Sequence, residues 1–259
     1  MILTSEKQKN KYRDICKISL DIFGEIKNKL KVGILPIELD NYAGEICSAN
    51  KIVPAFQKVK NQRQDFGHNT CISVNDIAVH GVPSTETPIA EGDLVSIDFG
   101  IHKNNLFTDH CFTFGIGSIS PTRRKILNVA KSAVENAVAK SISGNTTGDL
   151  GFAMQSTASS SGFDVIKEYI GHGIGKGLHE HPDIPAFGIK NQGAELEEGM
   201  VICVECQVVA GSDEVHVLDD GWSVATIDGG ASAMFEYMVL VGKDSAEVLT
   251  DNRDWSTII

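Results

Sequence analysis

The sequence has no long apolar run, no excess of positive charge and no glycine motif of the kinds that cradle phosphate. A membrane-spanning helix needs about 20 apolar residues, and no run in the 259 residues approaches that length. The first ten residues lack the apolar core of a secretory signal, which predicts a cytoplasmic protein without membrane contact. A net charge of -11 repels phosphate backbones, so we expect no direct nucleic-acid specificity.

Cysteine is present, but not in a pattern that indicates disulfides. The six cysteines of a chain expected in a reducing compartment are predicted to be free thiols. Cys203 and Cys206 form a CxxC pair inside an apolar, strand-like run. Residues three apart on a strand face opposite sides, so we do not expect this pair to bind one metal or to act as a redox couple.

The remaining composition is that of a globular chain. Hydrophobic residues make up 42% and charged residues 22%, close to the average for globular domains. The length permits one large core. We therefore expect a single domain over residues 1–259, with approximate halves 1–118 and 119–259 and no linker between them.

Helix signals and strand signals alternate along the chain. Ser5 and Gln8 form a capping-box pattern before an amphipathic helix, which we expect to end near Gly33. Pro36 can open a second helix. Residues 52–114 are rich in β-branched and aromatic residues broken by turn formers, which is typical of strands.

The second half repeats this order. Ser120-Pro121 is an N-cap followed by proline at the first helical position, and Thr147 is expected to cap a further helix. Strand patterns return after Phe163. The order predicts an α+β fold of two similar halves, with helices on one face of a mostly antiparallel sheet.

Four carboxylates stand alone inside apolar strand patterns: Asp98, Asp109, Glu205 and Glu236. A hairpin centred on Lys103-Asn104 would place Asp98 directly opposite Asp109, with Cβ atoms about 5 Å apart. Like charges that close repel one another, and a bound divalent cation resolves the conflict. Carboxylates with one imidazole suit Mn²⁺, Fe²⁺, Co²⁺ or Zn²⁺. The alternative is that each acid is a solvated residue on an edge strand.

Imidazoles are supplied by a glycine-rich segment, residues 171–182, which contains His172 and His179. Glycine beside histidine lets the backbone and a ligand approach closely, whereas a flexible surface turn is the alternative interpretation. His80 is a further candidate. The other five histidines are interpreted as non-catalytic, and His110 is expected to face away from the acids because it follows Asp109 on the same strand.

Taken in chain order, these residues resemble the methionine aminopeptidases of the pita-bread fold. The matching features are Asp98, Asp109, His172 within Gly-His-Gly-Ile-Gly, Glu205 and Glu236, and the resemblance covers nearly the whole chain. The segments around His80, His179 and Trp222 look like the type I branch. The resemblance implies the α+β pita-bread fold and a metallo-exopeptidase. Such an enzyme removes the N-terminal methionine from nascent proteins when the second residue is small.

The resemblance also implies a metal centre with two divalent cations. Asp98 would chelate the first cation, and Asp109 and Glu236 would bridge both. His172 and Glu205 would complete the second. Co, Mn, Fe, Zn and Ni are all compatible with this expectation.

Substrate contacts follow from the same resemblance. His80 and His179 would contact the peptide and stabilise the reaction intermediate, with Glu205 as the proton shuttle. The methionine pocket would be lined by Cys71, Phe66 and Trp222. A monovalent cation is expected near Asn75 and Ser232. The expected partners are N-terminal methionine peptides of nascent chains at the ribosome, and the protein is expected to be a monomer.

Several positions depart from the family pattern. Glu205 is followed by Cys206 instead of proline, Leu178 stands where an aromatic residue is common, and residues 51–64 match poorly. These changes spare the proposed ligands and bear on rate and selectivity. Two alternatives stay open: a proline-specific aminopeptidase or dipeptidase of the same fold, and a catalytically dead pita-bread domain that binds proteins.

Overall fold

The computed structural model describes residues 1–62 and 64–259. The helices are Glu6–Lys27 (α1), Pro36–Ala49 (α2), Pro121–Val138 (α3) and Thr147–Ser160 (α4). The strands are Val53–Pro54 (β1), Thr70–Val74 (β2), Ile77–Val79 (β3), Leu94–Phe99 (β4), Ile101–Lys103 (β5), Leu106–Phe107 (β6), His110–Gly115 (β7), Asp164–Val165 (β8), Gly171–Gly173 (β9), Glu180–Ile184 (β10), Val201–Val209 (β11), Val215–Val217 (β12), Val224–Thr226 (β13), Ser232–Leu240 (β14) and Glu247–Val248 (β15). Across the described ranges, no helix is both long enough and apolar enough to cross a membrane.

Two helix starts show how the local sequence fixes the ends of elements. The Ser5 side chain accepts from the backbone N–H of Gln8, and the Gln8 side chain accepts from the backbone of Ser5, so the predicted capping box is present. The start of α4 differs from the prediction by one residue. Thr146, not Thr147, is the cap, because Asp149 lies three residues after Thr146 and accepts from its backbone N–H.

Proline opens two helices as predicted, at Pro36 in α2 and at Pro121 in α3. The end of α1 lies earlier than expected, since the helix stops at Lys27. Gly33 belongs instead to the connection between α1 and α2, where its φ of 86° favours a residue without a Cβ atom.

A large antiparallel sheet forms the centre of the molecule. Its strand order is β10-β9-β11-β14-β7-β4-β2, with β8 beside β11 and β15 beside β14. Strands β2, β4 and β7 come from the first half of the chain and the others from the second, so the halves share one sheet. Every pairing among these strands is antiparallel. The predicted α+β fold is confirmed.

The two faces of this sheet have different coverings. The helices pack on one face around a core that includes Ile97, Phe112 and Phe235. On the other face a small sheet of order β12-β13-β3 packs Val79 and Val224 against the central strands. The space between the central sheet and this second covering holds the candidate site.

Candidate metal centre

Three of the four isolated acids lie in a single row across the central sheet. Glu205 on β11 is directly opposite Glu236 on β14, and Glu236 is opposite Cys111 on β7. Cys111 is in turn opposite Asp98 on β4, and Asp98 is opposite Cys71 on β2. Directly opposite residues project from the same face of a sheet. Strand pairing therefore collects side chains that are more than 130 residues apart in sequence, on the face turned away from the helices.

The fourth acid, Asp109, reaches the row from the break between β6 and β7. The predicted hairpin register was wrong by two residues, because Asp98 pairs with Cys111 and not with Asp109. The turn is centred on Asn104-Asn105, whose φ values are 53° and 62°. Such a turn needs positive φ at both central residues, which asparagine tolerates better than lysine does.

A two-residue shift preserves the face on which a side chain lies. Asp109 thus still points towards Asp98, as a diagonal neighbour instead of a direct one. One carboxylate oxygen from each of Asp98, Asp109 and Glu236 lies within 4.8 Å of the others. The error in register therefore left the predicted cluster intact.

His172 enters the site from β9, where it lies opposite Cys203. Its Nδ1 is 2.9 Å from the carbonyl oxygen of Gly173, and its Nε2 is 3.8 Å from Oδ2 of Asp109. A carbonyl can only accept, so Nδ1 carries the proton and Nε2 presents a lone pair to the acids. A Cβ atom at Gly173 would lie 2.2 Å from the carbonyl oxygen of His181. Glycine there lets β9 pair closely with β10.

Burial makes it unfavourable for the four acids to be ionised at the same time. Burial raises the pKa of Asp98 to about 8 and that of Glu205 to about 7, with the charge of Glu205 adding to the effect on Asp98. Burial, followed by repulsion from the other acids, also raises the pKa values of Asp109 and Glu236 well above their usual range. A nearby positive charge would reverse these shifts.

The residues present fit a divalent cation pair. Asp98 Oδ1, Asp109 Oδ1 and Glu236 Oε1 are buried and form no hydrogen bond within the part of the chain that the structure describes. Buried carboxylate oxygens are normally satisfied, and one carboxylate oxygen of each of these three residues lies within 4.8 Å of the others. Oxygen donors with one imidazole nitrogen match the preferences of Mn²⁺, Fe²⁺, Co²⁺ and Zn²⁺.

Two further histidines border the acids, as predicted. The ring of His179 lies 4.5 Å from the ring of His172, centre to centre, and its nitrogen lies within 4.8 Å of ligand atoms of Asp109 and His172. His80 has a φ of 56°, a strained value for a residue with a Cβ atom. Its ring packs edge-on against Tyr169 at 5.2 Å. Burial lowers the pKa of His80 to about 4 and also lowers that of His179, so both rings are neutral near pH 7.

An apolar cavity of about 110 Å³ opens beside the acids. All ten predicted site residues line it: Phe66, Cys71, His80, Asp98, Asp109, His172, His179, Glu205, Trp222 and Glu236. Its apolar wall includes Phe66 and Trp222, which meet edge to face at 5.2 Å. The structure thus brings together every side chain that the sequence singled out for metal, peptide or pocket contacts.

Some residues that line the cavity were not predicted from the sequence. Phe56 and Val59 also line the cavity, although they belong to the segment that matched the family poorly. Phe56 ends a short apolar run that begins at Ile52, and Val59 stands alone among polar residues, so no periodic pattern marks the two as a pair. Asn61 and Gln64 secure this segment by donating to the carbonyl oxygens of Gly221 and Asp220.

His110 was expected to face away from the acids, and it does. Nε2 of His110 is 2.9 Å from Oγ of Ser19, on the helix side of the sheet. Cys203 and Cys206 are both free and buried. Cys203 lies opposite His172, and its sulfur lies within 4.8 Å of ligand atoms of His172 and Glu236. Cys206 lies three residues further along β11 and projects from the opposite face of the sheet. The structure therefore gives no support to a joint role for the CxxC pair.

The residues proposed for a monovalent cation also meet. The backbone N–H of Ser232 donates to the carbonyl oxygen of Asn75 at 2.7 Å. Asn75 has a φ of 59° in the turn between β2 and β3. A carbonyl oxygen has two lone pairs, so this contact leaves one for a further partner.

Comparisons with known proteins agree with one another and point to metallopeptidases. The model of metallopeptidase family M24 matches residues 10–243. The methionine aminopeptidase of Clostridium perfringens is 34% identical over 250 residues, which cover 96% of this chain and 98% of that protein. A crystal structure of methionine aminopeptidase from Thermotoga maritima superposes with a TM-score of 0.90 at 32% identity, covering 97% of this chain and 100% of that one.

Proline-specific relatives share the fold at lower identity. Prolidase from Pyrococcus furiosus superposes with a TM-score of 0.77 at 24% identity, covering 97% of this chain and 66% of that one. Likeness at this level shows the fold alone.

Proposed function

The chain belongs to metallopeptidase family M24, and from that premise we propose that it is a methionine aminopeptidase of type I. It removes the N-terminal methionine of peptides whose second residue is small. The observation that carries the proposal is the row of buried acids beside an apolar cavity that takes one side chain. The proline-specific alternative has less support, because the proline-specific structures resemble this chain only in fold.

Five side chains would hold the two divalent cations. Four of them, Asp98, Asp109, His172 and Glu236, contribute atoms to close groups of candidate ligands. The fifth is Glu205, which lies directly opposite Glu236. When bound, the cations supply a water nucleophile near neutral pH and a Lewis acid for the scissile carbonyl. This assignment is supported by oxygens of three of these acids that have no hydrogen-bond partner among the described residues, and by the lone pair that His172 Nε2 presents to Asp109.

The protein's own groups position the peptide and move the proton. The apolar wall around Cys71, Phe66 and Trp222 holds the unbranched thioether side chain, because sulfur and aromatic surfaces suit it. His80 and His179 are neutral and can each donate one N–H, which stabilises the oxygen that gains negative charge. Glu205 accepts a proton from the attacking water and returns it to the leaving amine.

Several finer points belong to the same proposal. Free, buried thiols fit a reducing compartment, and we propose that the enzyme acts in the cytoplasm on nascent chains at the ribosome, as a monomer. The carbonyl of Asn75 and the neighbouring Ser232 bind a monovalent cation. Light scattering tests the oligomeric state, and activity in matched K⁺, Na⁺ and tetramethylammonium buffers tests the monovalent site.

A peptide assay tests the main proposal. Chelated protein reloaded with Co²⁺, Mn²⁺ or Fe²⁺ is incubated with Met-Ala-Ser and, separately, with Ala-Pro-Ala. We expect free methionine from the first peptide and no cleavage of the second. Release of alanine from Ala-Pro-Ala in preference to methionine would replace the proposal with the proline-specific reading. Metal binding without cleavage of either peptide would support the binding-domain alternative.

A further inference from the structure

Gln207 is a fully buried amide next to the proposed metal centre. It lies on β11, two residues after Glu205, so the two side chains project from the same face of the sheet. Met234 on β14 lies directly opposite Gln207. The amide therefore lies next to the row of acids, two residues further along strand β11.

The amide nitrogen of Gln207 has two hydrogen-bond partners. Nε2 is 2.7 Å from Oε2 of Glu205 and 3.5 Å from Sδ of Met234. An amide nitrogen carries two hydrogens, so the carboxylate takes one and the thioether takes the other. The reverse amide orientation would bring two acceptor oxygens to 2.7 Å, which fixes the nitrogen on the side of Glu205.

The amide oxygen has no comparable role. Oε1 of Gln207 is buried and forms no hydrogen bond with any described residue. An unsatisfied buried acceptor costs about 1–3 kcal/mol, and an apolar side chain facing Met234 would avoid that cost. Packing alone thus disfavours glutamine here, and the bond to Glu205 is the contact that an apolar residue cannot supply.

The surroundings hold this contact in place. Oγ1 of Thr113 donates to the carbonyl oxygen of Met234 at 2.6 Å and accepts from its backbone N–H at 2.9 Å. Oγ of Ser96 lies 2.7 Å from the same hydroxyl. The backbone beneath the thioether is therefore fixed by side chains as well as by strand pairing.

We propose that Gln207 is a positioning residue that holds Oε2 of Glu205 and so presents the other carboxylate oxygen to the metal centre. The inference rests on the proposed function, because it treats Glu205 as a metal ligand. Groups that orient metal ligands typically change metal affinity about 10- to 100-fold when removed.

The test measures metal binding directly, without peptide. Apo wild-type protein and the variant Gln207→Met are titrated calorimetrically with Mn²⁺ and Co²⁺, and the visible absorption of the Co²⁺ forms is recorded. Methionine keeps the length and removes the N–H donor. We expect at least one of the two metal equivalents to bind about 10- to 100-fold more weakly, with an altered Co²⁺ spectrum.

Two further variants separate positioning from packing. Met234→Leu removes the thioether but leaves the amide on Glu205, so its metal affinity should match the wild type. Gln207→Asn keeps an amide but is one methylene too short to hold Glu205, so it should lose affinity as Gln207→Met does. Melting temperatures in chelator report stability without metal. Gln207→Met should melt close to the wild type, because it removes the unsatisfied Oε1 of Gln207 but leaves Oε2 of Glu205 without its donor.

The outcomes distinguish the positioning role of Gln207 from the proposed function on which it rests. If wild-type protein binds no divalent metal, both are wrong. If it binds two equivalents and Gln207→Met binds them equally well with the same spectrum, only the positioning role is wrong. Equal losses in Gln207→Met and Met234→Leu would likewise overturn it, because the loss would then come from repacking.

Discussion

Removing divalent metal should make the stability of this protein fall as pH rises above neutrality. The cause lies in the buried acids. The pKa of Asp98 is raised from 3.8 to about 8, and the pKa values of Asp109 and Glu236 are also raised, by burial first and by neighbouring acids second. At pH 7 the folded, chelated protein keeps a proton on Asp98, and the raised pKa values of Asp109 and Glu236 favour further retained protons, whereas the unfolded chain has lost them. Stability must then decrease with pH, because the folded state binds more protons.

The pH range of the measurement has to be chosen so that other titrating groups do not mask the loss of stability caused by the acids. Buried His80, His110 and His172 have lowered pKa values of about 4, 3 and 4. They act in the opposite direction, because below their unfolded pKa near 6.5 the unfolded chain binds the extra protons. Most of their contribution is complete by about pH 7, and the remainder is common to the chelated and the metal-loaded protein. The range from pH 7 to pH 8 therefore isolates the acids.

The magnitude follows from the number of protons retained. Each proton held in the folded state costs about 1.4 kcal/mol per pH unit. One to two retained protons give a loss of roughly 1.4–2.8 kcal/mol between pH 7 and 8. At about 2–4 °C per kcal/mol for a chain of this size, the melting temperature should drop by roughly 3–11 °C.

Differential scanning calorimetry in chelator and in excess Mn²⁺ provides the comparison. The metal-loaded protein holds the acids ionised at both pH values, so it should show no such drop. The buried cysteines, whose pKa values are also raised, contribute equally to both forms and cancel in the difference. If the chelated protein loses no more stability than the loaded protein between pH 7 and 8, the buried acids do not retain protons in the folded, metal-free protein.

The remaining predictions concern activity. Asp109→Asn should lose both metal and peptidase activity, and metal analysis that finds two equivalents still bound would contradict a bridging role. His179→Ala should keep its metal and lower kcat by about 10²–10³; loss of metal would instead make His179 a ligand, which its distance to Asp109 permits. Leu178→Phe should narrow the cavity and raise the kcat/KM ratio of Met-Ala-Ser to Leu-Ala-Ser, since one methylene is worth about 1–3 kcal/mol in an apolar pocket. Met-Leu-Ser should be cut much more slowly than Met-Ala-Ser, because a displacement of about 1 Å can cost a hundredfold, and equal rates would refute the restriction at the second position.

The sequence predicted the members of the acid cluster better than the strand pairing that joins them. A single acid in a strand that is apolar on both faces is a strong signal of a functional site. Side chains alternate between the two faces of a strand, and neither face of such a strand is expected to meet solvent, so a surface position does not explain the acid. That signal identified Asp98, Glu205 and Glu236 without knowledge of which strands pair. The pairing of Glu205 with Glu236 was not predicted, since the two strands are separated by a long connection whose course the pattern does not specify.

Local turn chemistry and pocket walls were less predictable. The hairpin centre was misplaced because Lys103-Asn104 and Asn104-Asn105 are both polar, and only the need for two positive φ values selects the second. Phe56 was missed because a loop that folds over a cavity has no periodicity. The role of Gln207 was also hidden in the sequence, as a polar residue in a buried strand does not reveal which neighbour it contacts.

The row of acids constrains how this protein can change over evolutionary time. Its members share a face only because each strand keeps an unbroken alternation between its two sides. Substitutions on the helix side leave that alternation intact, so those positions can drift in size and shape. Inserting or deleting one residue within β11 or β14 would turn Glu205 or Glu236 towards the helices and bury an unpaired charge there. Length variation should therefore be confined to the loops, while these strands accept changes of residue but not of length.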